Sequence, residues 1–297
     1  MIVLLLLQSY KKEVSFSRET PRLHKIFYAM GLPLHQEDSS FVCPHHHRFD
    51  GAKQGYYYLS KTKLSPTKYD KELFNARRHI IQNTALYDAL HRQFDTIIST
   101  QLTKAPTLVI DAGSGEGSHL MRMRQYLPKS TAFIGVDLAK DGIQLATEYN
   151  GAIFSIIADL ANLPIQDETA EIIFSILSPA NYQEFKRILK PHGLVIKVIP
   201  NTNYLVEVRE ALAQYHLVEP TVYDNSKVLE VFTHHFPDCH RYLIHDKVHL
   251  SYQDKQALLK MTPLAWQLSE EQKEQLVQSL SNQITLDCTV LVGHKLD

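Results

Sequence analysis

Cysteine is scarce: Cys43, Cys239 and Cys288 are the only three in 297 residues. An odd, sparse set excludes a disulfide framework and points to a reducing compartment. Long apolar runs are lacking as well. The opening stretch Ile2 to Leu7 falls far short of the roughly 20 residues that a bilayer span requires. It also lacks the charged n-region and small-residue cleavage site of a signal peptide. The expectation is a soluble, cytoplasmic protein with no membrane partner. Internal repeats and low-complexity segments are missing, which excludes solenoid and fibrous architectures. Net charge is almost absent, with 31 Lys and Arg against 32 Asp and Glu. That balance excludes a protein that coats nucleic acid, DNA included, by bulk positive charge.

The charge is unevenly spread. Residues 1–105 carry 15 basic against 9 acidic side chains, and residues 106–297 carry 16 against 23. A basic front and an acidic remainder suggest two parts with different partners. Apolar residues make up 44% of the chain, enough for a real core. The segment from Phe41 to Ser65, rich in His, Gly, Lys and Tyr, suits a small loop-rich module. From Asp70 to Ile98 apolar residues recur at three- and four-residue steps, as in a helix. After Pro106 short apolar runs alternate with helical stretches. Strands are expected at 107–112, 132–137, 152–158, 171–177 and 194–199, with helices at 118–126, 141–150, 182–189 and 204–215. This spacing predicts an α/β, Rossmann-like, mostly parallel sheet with helices on both faces. Strands at 242–250 and 284–293, around helices at 253–259 and 269–280, suggest an antiparallel edge. The expected division is 1–65 (N-terminal extension and small module), 66–105 (helical connector) and 106–297 (the α/β domain).

The first strand of that domain ends in Asp111-Ala112-Gly113-Ser114-Gly115-Glu116-Gly117 and opens into a helix. Alternating glycines allow a tight turn and close approach of a ligand to the main chain. The helix N-terminus then faces the ligand with free N–H groups. Asp137 ends the second strand, twenty residues beyond Gly117, where a carboxylate can accept both hydroxyls of a ribose. A dinucleotide fold calls for Gly-x-Gly-x-x-Gly. The Asp-x-Gly-x-Gly-x-Gly here resembles motif I of class I S-adenosylmethionine-dependent methyltransferases; a plain strand-to-helix turn would carry the same glycines. Asp159, after the third strand, is a candidate near the adenine or an ordinary helix cap. Ser178-Pro179-Ala180-Asn181 follows the fourth strand, where an acceptor atom would arrive.

Several segments together resemble one family. Cys43-Pro44-His45-His46-His47-Arg48-Phe49-Asp50-Gly51-Ala52-Lys53-Gln54-Gly55-Tyr56 is similar to the C-P-x-x-H-x-F-D-x-A-K-x-G-Y pattern of the 23S rRNA guanine-N1 methyltransferases. These are the RlmA-type enzymes, which include those linked to tylosin and mycinamicin resistance. Asn75-Ala76-Arg77-Arg78, Leu163-Pro164, Lys190-Pro191, Pro200-Asn201 and Met261-Thr262-Pro263-Leu264-Ala265-Trp266 continue the match in order. The resemblance implies methyl transfer from S-adenosylmethionine to N1 of a guanine in a hairpin loop of 23S rRNA. It implies cofactor contacts from Tyr87, Gly115, Glu116 and Tyr204, the last standing where some relatives carry His. With the motif, the cofactor set becomes Tyr87, Asp111, Gly113, Gly115, Glu116, Gly117, Asp137, Asp159 and Tyr204. Asp159 and Asn181 are candidates for assisting proton loss, by location only. A homodimer is possible.

The family's N-terminal module holds zinc through two Cys followed by C-x-x-x-H. Only the second half is present, as Cys43 and His47; the first pair would fall near Phe27. The segment before Met30 reads as a replaced or mis-framed N-terminus, and the expectation is loss of tight zinc. A site rebuilt with His24 or His35 is the alternative. Lys53, Lys61, Lys63, Lys68, Lys71, Arg77 and Arg78, interleaved with Tyr56, Tyr57, Tyr58 and Tyr69, suit a phosphate backbone with bases. Those three adjacent tyrosines and Trp266 are candidates for stacking on an unstacked guanine. A small-molecule methyltransferase on the same fold, or a remnant that binds cofactor or RNA without catalysis, would share the glycine loop.

Overall fold

The computed structural model describes residues 27–29, 32–60, 69–213 and 225–296. Val3 to Leu7, His24, Met30, Gly31, Lys61, Lys63 and Lys68 lie outside them, as does the boundary expected after residue 65. Short strands come first: β1 (Tyr28–Ala29), β2 (Leu32–Pro33), β3 (His35–Glu37), β4 (Ser40–Val42), β5 (Arg48–Asp50) and β6 (Tyr57–Tyr58). β1 and β2 form an antiparallel pair, and β3, β4 and β5 a three-stranded antiparallel sheet.

The helical stretch after Asp70 is two helices, α1 (Lys71–Asn83) and α2 (Asp88–Gln101). Asp70 caps the first by accepting from the Leu73 N–H at 2.8 Å. Thr84 then turns extended, and its hydroxyl donates to the Ile80 carbonyl at 2.6 Å, closing the helix. The break puts Tyr87 at the N-cap of α2.

The alternating region gives β7 (Leu108–Ala112), α3 (Ser118–Met123), β8 (Ala132–Asp137), α4 (Lys140–Ala146), β9 (Phe154–Ile157), β10 (Ala170–Ile176), α5 (Tyr182–Ile188), β11 (Leu189–Pro200) and α6 (Val206–Ala213). The tail adds α7 (Ser226–His235), β12 (His240–His249), α8 (Tyr252–Met261), α9 (Glu270–Ser279) and β13 (Gln283–His294). Helix α7 has no counterpart in the expected elements. The eight-stranded sheet runs β12-β13-β11-β10-β7-β8-β9-β6, with β13 antiparallel to both neighbours and the remaining pairs parallel. Strand order reverses between β7 and β10, which opens a crevice at their carboxyl ends. β7 is buried at all five positions, as expected of a strand covered on both faces. Among the described residues, no helix is long and apolar enough to cross a membrane.

The small module is not a separate body. Tyr57 and Tyr58 pair with Ile156 and Ile157 and so extend the large sheet. Phe27 is fully buried. Its ring stacks on Phe154 at 5.1 Å and meets Phe41 edge-on at 5.2 Å, while Tyr57 stacks on Phe154 at 5.4 Å. Phe27, Leu34, Phe41 and Cys43 share one apolar cluster with Ile134, Ile156 and Ile173 of the sheet. Four rings thus join module to domain. Replacing Phe41 by Ala should cost about 3–5 kcal/mol. Denaturant unfolding would measure this, with the module expected to lose protease resistance first.

Candidate active site

The crevice is built around the loop after β7. Gly113, Gly115 and Gly117 all have positive φ, at 87°, 56° and 79°. The first two are also hemmed in. A Cβ on Gly113 would lie 2.5 Å from the Ser178 Cβ, and one on Gly115 would lie 2.1 Å from Arg77 Nη1. Glycine is therefore required there by conformation and by space. The N–H groups of Gly113 and Ser114 donate to the Val136 carbonyl at 2.8 and 3.0 Å, tying the loop to β8.

Four charged side chains surround this loop. Asp137 accepts from the N–H of Gly115 and of Ala139, each at 2.7 Å. Burial raises its carboxyl above the usual range, although those N–H bonds oppose the shift. Glu116 is fully buried and accepts from Arg77 Nη1 at 2.9 Å, and Arg77 also donates to the Ser114 carbonyl at 3.2 Å. Burial works against the Arg77 charge, but Glu116, Asp111 and Asp137 outweigh it and hold its pKa above the ordinary value. Asp111 is 1% exposed, and burial pushes its carboxyl up to about 7, against the pull of Arg77.

Neither carboxylate oxygen of Asp111 has a hydrogen-bond partner, and Oε1 of Glu116 has none. Three carboxylates around one guanidinium leave net negative charge, with unfilled acceptors beside a glycine cradle. That donor set fits a cationic amino-acid end joined to a nucleoside, which is the chemistry of S-adenosylmethionine.

On the other side, Tyr87 and Tyr204 share a hydroxyl hydrogen bond of 2.8 Å. Burial raises the Tyr87 phenol to about 12, so it stays protonated. Asn201 donates to Asp287 at 2.9 Å and accepts from Thr289 at 2.8 Å, fixing the turn that carries Tyr204. His119 packs edge-on to Tyr87 at 5.2 Å and shares a 3.0 Å hydrogen bond with His91. Burial keeps both imidazoles neutral, with His91 down at about 3.

Other candidate residues have structural duties here. Asp159 accepts from the Ala161 N–H at 2.9 Å in its own turn. Asn181 is the N-cap of α5 and accepts from Glu184 N at 3.2 Å. Arg78 donates to Glu148 and to the Leu145 carbonyl, both at 2.6 Å. Arg77 and Arg78, read from sequence as facing RNA phosphates, are engaged inside the α/β domain instead. Tyr56 is buried against Ile143 and Ile157, and Tyr57 is held among phenylalanines. Trp266 packs edge-on to Tyr69 at 5.3 Å beside Ala139, and Tyr69 is 44% exposed. Sequence reasoning set Arg77 on the RNA face and missed Lys197. The second had a visible signal, a lone charge inside the apolar run Leu194 to Ile199.

In the small module, Cys43 Sγ lies 3.3 Å from His47 Nδ1, within a turn closed by the His46 N–H to Cys43 carbonyl bond at 2.8 Å. Cys239 and Cys288 lie far along the chain, next to and within the β12–β13 edge. His35 bonds Glu37 at 2.9 Å. Among the described residues, no group of three or more His, Cys, Asp or Glu could hold a metal ion. Among the described residues, nothing completes a four-ligand site around Cys43 and His47.

A doubly wound sheet with an antiparallel β13, a glycine loop at its switch point and a carboxylate ending β8 defines a class I S-adenosylmethionine-dependent methyltransferase. The methyltransferase-domain family matches residues 109–193, and the zinc-ribbon family described as RlmA, N-terminal, matches residues 30–60. The chain is 36% identical over 267 residues to the protein named "Putative 23S rRNA (guanine-N(1)-)-methyltransferase YxjB" of Bacillus subtilis (strain 168). That likeness covers 86% of this chain and 91% of the relative. It is 25% identical over 269 residues to the 23S rRNA (guanine(748)-N(1))-methyltransferase of Streptomyces fradiae, covering 89% and 94%. Among solved structures, phosphoethanolamine N-methyltransferase 2 of Haemonchus contortus, in complex with S-adenosyl-L-methionine, shares the fold. Its TM-score is 0.51 at 14% identity, over 79% of this chain and 59% of that one. The chain belongs to the RlmA-type 23S rRNA guanine-N1 methyltransferase family.

The Asp111 carboxyl sets a testable pH dependence. A bound cation favours its ionised form, so binding should release a proton around pH 7. Affinity for S-adenosylhomocysteine, which keeps the ammonium, should fall as pH drops below about 7, by up to about tenfold per unit. Calorimetric titration in buffers of different ionisation enthalpy measures the proton count, and Asp111→Asn should flatten the profile.

Proposed function

We propose that this protein transfers the methyl group of S-adenosylmethionine to N1 of a guanine in 23S rRNA. The observation that carries this reading is one chain that joins an RlmA-type ribbon to a class I methyltransferase domain, with likeness to a guanine-N1 methyltransferase over 91% of the relative. When bound, the cofactor supplies an electrophilic methyl on a sulfonium whose leaving group is a neutral thioether.

The chain's own residues then hold, orient and exclude. Gly113, Gly115 and Gly117 let the main chain approach the cofactor closely, and Asp137 stands where ribose hydroxyls would donate. Asp111 and Glu116 offer their unpartnered oxygens to the methionine ammonium. Tyr87 and Tyr204 close the opposite wall as neutral hydroxyls. Alignment of methyl and acceptor supplies most of the rate, because the leaving group is good. N1 of guanine carries a proton that must leave. Asp159 remains a candidate acceptor by its place after β9, with one oxygen already used in its own turn. Asn181, an amide used as a helix cap, serves as a positioning group rather than a base.

Lys53, Lys61, Lys63 and Lys68 supply the positive charge for rRNA phosphates in this reading, without Arg77 and Arg78. The free Cys43, Cys239 and Cys288 agree with a cytoplasmic place beside ribosomal RNA. The ribbon is proposed to hold its shape through the rings of Phe27, Phe41, Tyr57 and Phe154 rather than through zinc.

Incubation with S-adenosylmethionine and 23S rRNA from a strain lacking the modification should produce a primer-extension stop at one N1-methylguanine. No stop, under conditions where the cofactor is bound, would overturn the acceptor assignment. Metal analysis of the purified protein should find well under one zinc per chain, with no change in melting temperature on chelation. One tightly held zinc per chain would sink the zinc-free ribbon.

A further inference from the structure

Beneath the turn that follows β10 lies a charge that the reading above does not use. Lys197, in β11, is 5% exposed and sits between Ser175 of β10 and Leu291 of β13. Among the described residues no carboxylate pairs with it. Its ammonium donates to the Ser175 hydroxyl at 3.2 Å and to the carbonyl of Ser178. Burial alone drives its pKa down to about 8. An ammonium buried on neutral oxygens is costly, and an apolar residue of the same length would suit the flanking Val195, Ile196, Val198 and Ile199.

What the lysine holds is an unusual turn. Leu177 has a φ of 51°, in the left-handed region that a branched side chain adopts only under constraint, and it is 36% exposed. Ser178 follows, and its hydroxyl donates to the Ala112 carbonyl at 2.7 Å, against the glycine loop. Ser175 Oγ lies 3.1 Å from Ser178 Oγ and 3.3 Å from the Pro179 carbonyl. One network therefore runs from Lys197 through Ser175 and Ser178 to the start of the glycine loop, across the switch point. It locks the turn at Leu177–Asn181 to the cradle.

We propose that Lys197 is a positioning residue for methyl transfer: through the Ser178 carbonyl it holds the Leu177–Asn181 turn against the glycine loop, where the acceptor base must meet the methyl group. This inference rests on the guanine-N1 reading for its acceptor. In the step it serves, the N1–H bond breaks and the proton passes to Asp159, the acceptor carried by the reading above. The N1 pair forms the new N–C bond, and the pair of the broken C–S bond stays on sulfur. A displacement of this kind tolerates little misalignment.

The test is Lys197→Met, which keeps length and removes the donor and the charge. Steady-state assay on unmodified 23S rRNA should show kcat lowered about 10- to 100-fold. KM for rRNA and the Kd for S-adenosylhomocysteine should stay within about threefold. The melting temperature should hold or rise, since a costly buried charge is gone. Lys197→Arg should recover part of the lost kcat, and Ser175→Ala, which removes one of the two acceptors, should lower kcat by about threefold. An unchanged kcat in Lys197→Met would overturn the proposal. So would a joint fall of kcat, cofactor affinity and melting temperature, which is the signature of a purely structural residue. Failure of the wild-type protein to methylate any guanine N1 would remove the acceptor reading and this inference with it. Methylation by the wild type with Lys197→Met equally active removes the inference alone.

Discussion

The buried ion pair between Arg77 and Glu116, 2.9 Å long, is the contact on which the candidate site depends. It fastens α1 to the loop after β7. Glu116 is fully buried, and an unpaired charge there would be costly. Arg77 supplies the opposite charge, and the same guanidinium offsets Asp111 and Asp137. The pair also explains the glycine between them. The guanidinium lies against the main chain at Ser114 and Gly115, and a methyl group on Gly115 would collide with it. Breaking one half of such a pair is far worse than replacing both, because the other charge stays buried alone. Helix α1 therefore helps to build the candidate site, although it precedes the α/β domain in the chain.

That placement was hard to see in the sequence. Arg77 and Arg78 sit in a run of Lys, Arg and Tyr whose composition fits an RNA face. Only tertiary packing turns them inward, Arg77 onto Glu116 and Arg78 onto Glu148 and the Tyr149 ring. The parallel strands were legible because their apolar runs are short, fully buried and separated by regular helices. β8 and α5 lie within a residue of their expected bounds for that reason. The glycine loop and Asp137 were legible because the backbone needs leave few residue choices. Two-residue strands such as β1 and β6 carry no period to read. The break between α1 and α2 hangs on Thr84 alone, in a sequence whose apolar spacing continues across it. Helix α7 follows residues of mixed pattern and buries a single side chain, Phe232.

The ribbon shows how one fold element can be held by different means. A short module cannot bury enough apolar surface to be stable alone, so a metal or a larger neighbour must help. Here the neighbour is the edge of the main sheet. β6 pairs with β9, and Phe27 sits fully buried between Phe41 and Phe154. The Cys43–His47 turn is closed by its own hydrogen bonds. Packing of this kind makes the module's position a property of the whole domain.

Charge along the carboxyl edge of the sheet changes sign across the switch point. On the β7–β8 side, three carboxylates face one guanidinium, which leaves a negative wall for a cation. On the β10–β11 side, Lys197 lies under the Ser178 carbonyl, with no carboxylate paired to it among the described residues. A methyl transfer to guanine N1 asks for this polarity. The donor is a cation that becomes neutral, and the acceptor is a base that becomes electron-rich as its proton leaves. Fixed charges that are already oriented need no reorganisation during the reaction, and in a low-dielectric crevice they act more strongly than in water. The negative wall comes from Asp111, Glu116 and Asp137, offset by Arg77 from the helix before the domain, and the positive charge comes from Lys197 in the middle of an apolar strand. The loop marks the class of chemistry, and these side chains arrange the field in which it proceeds.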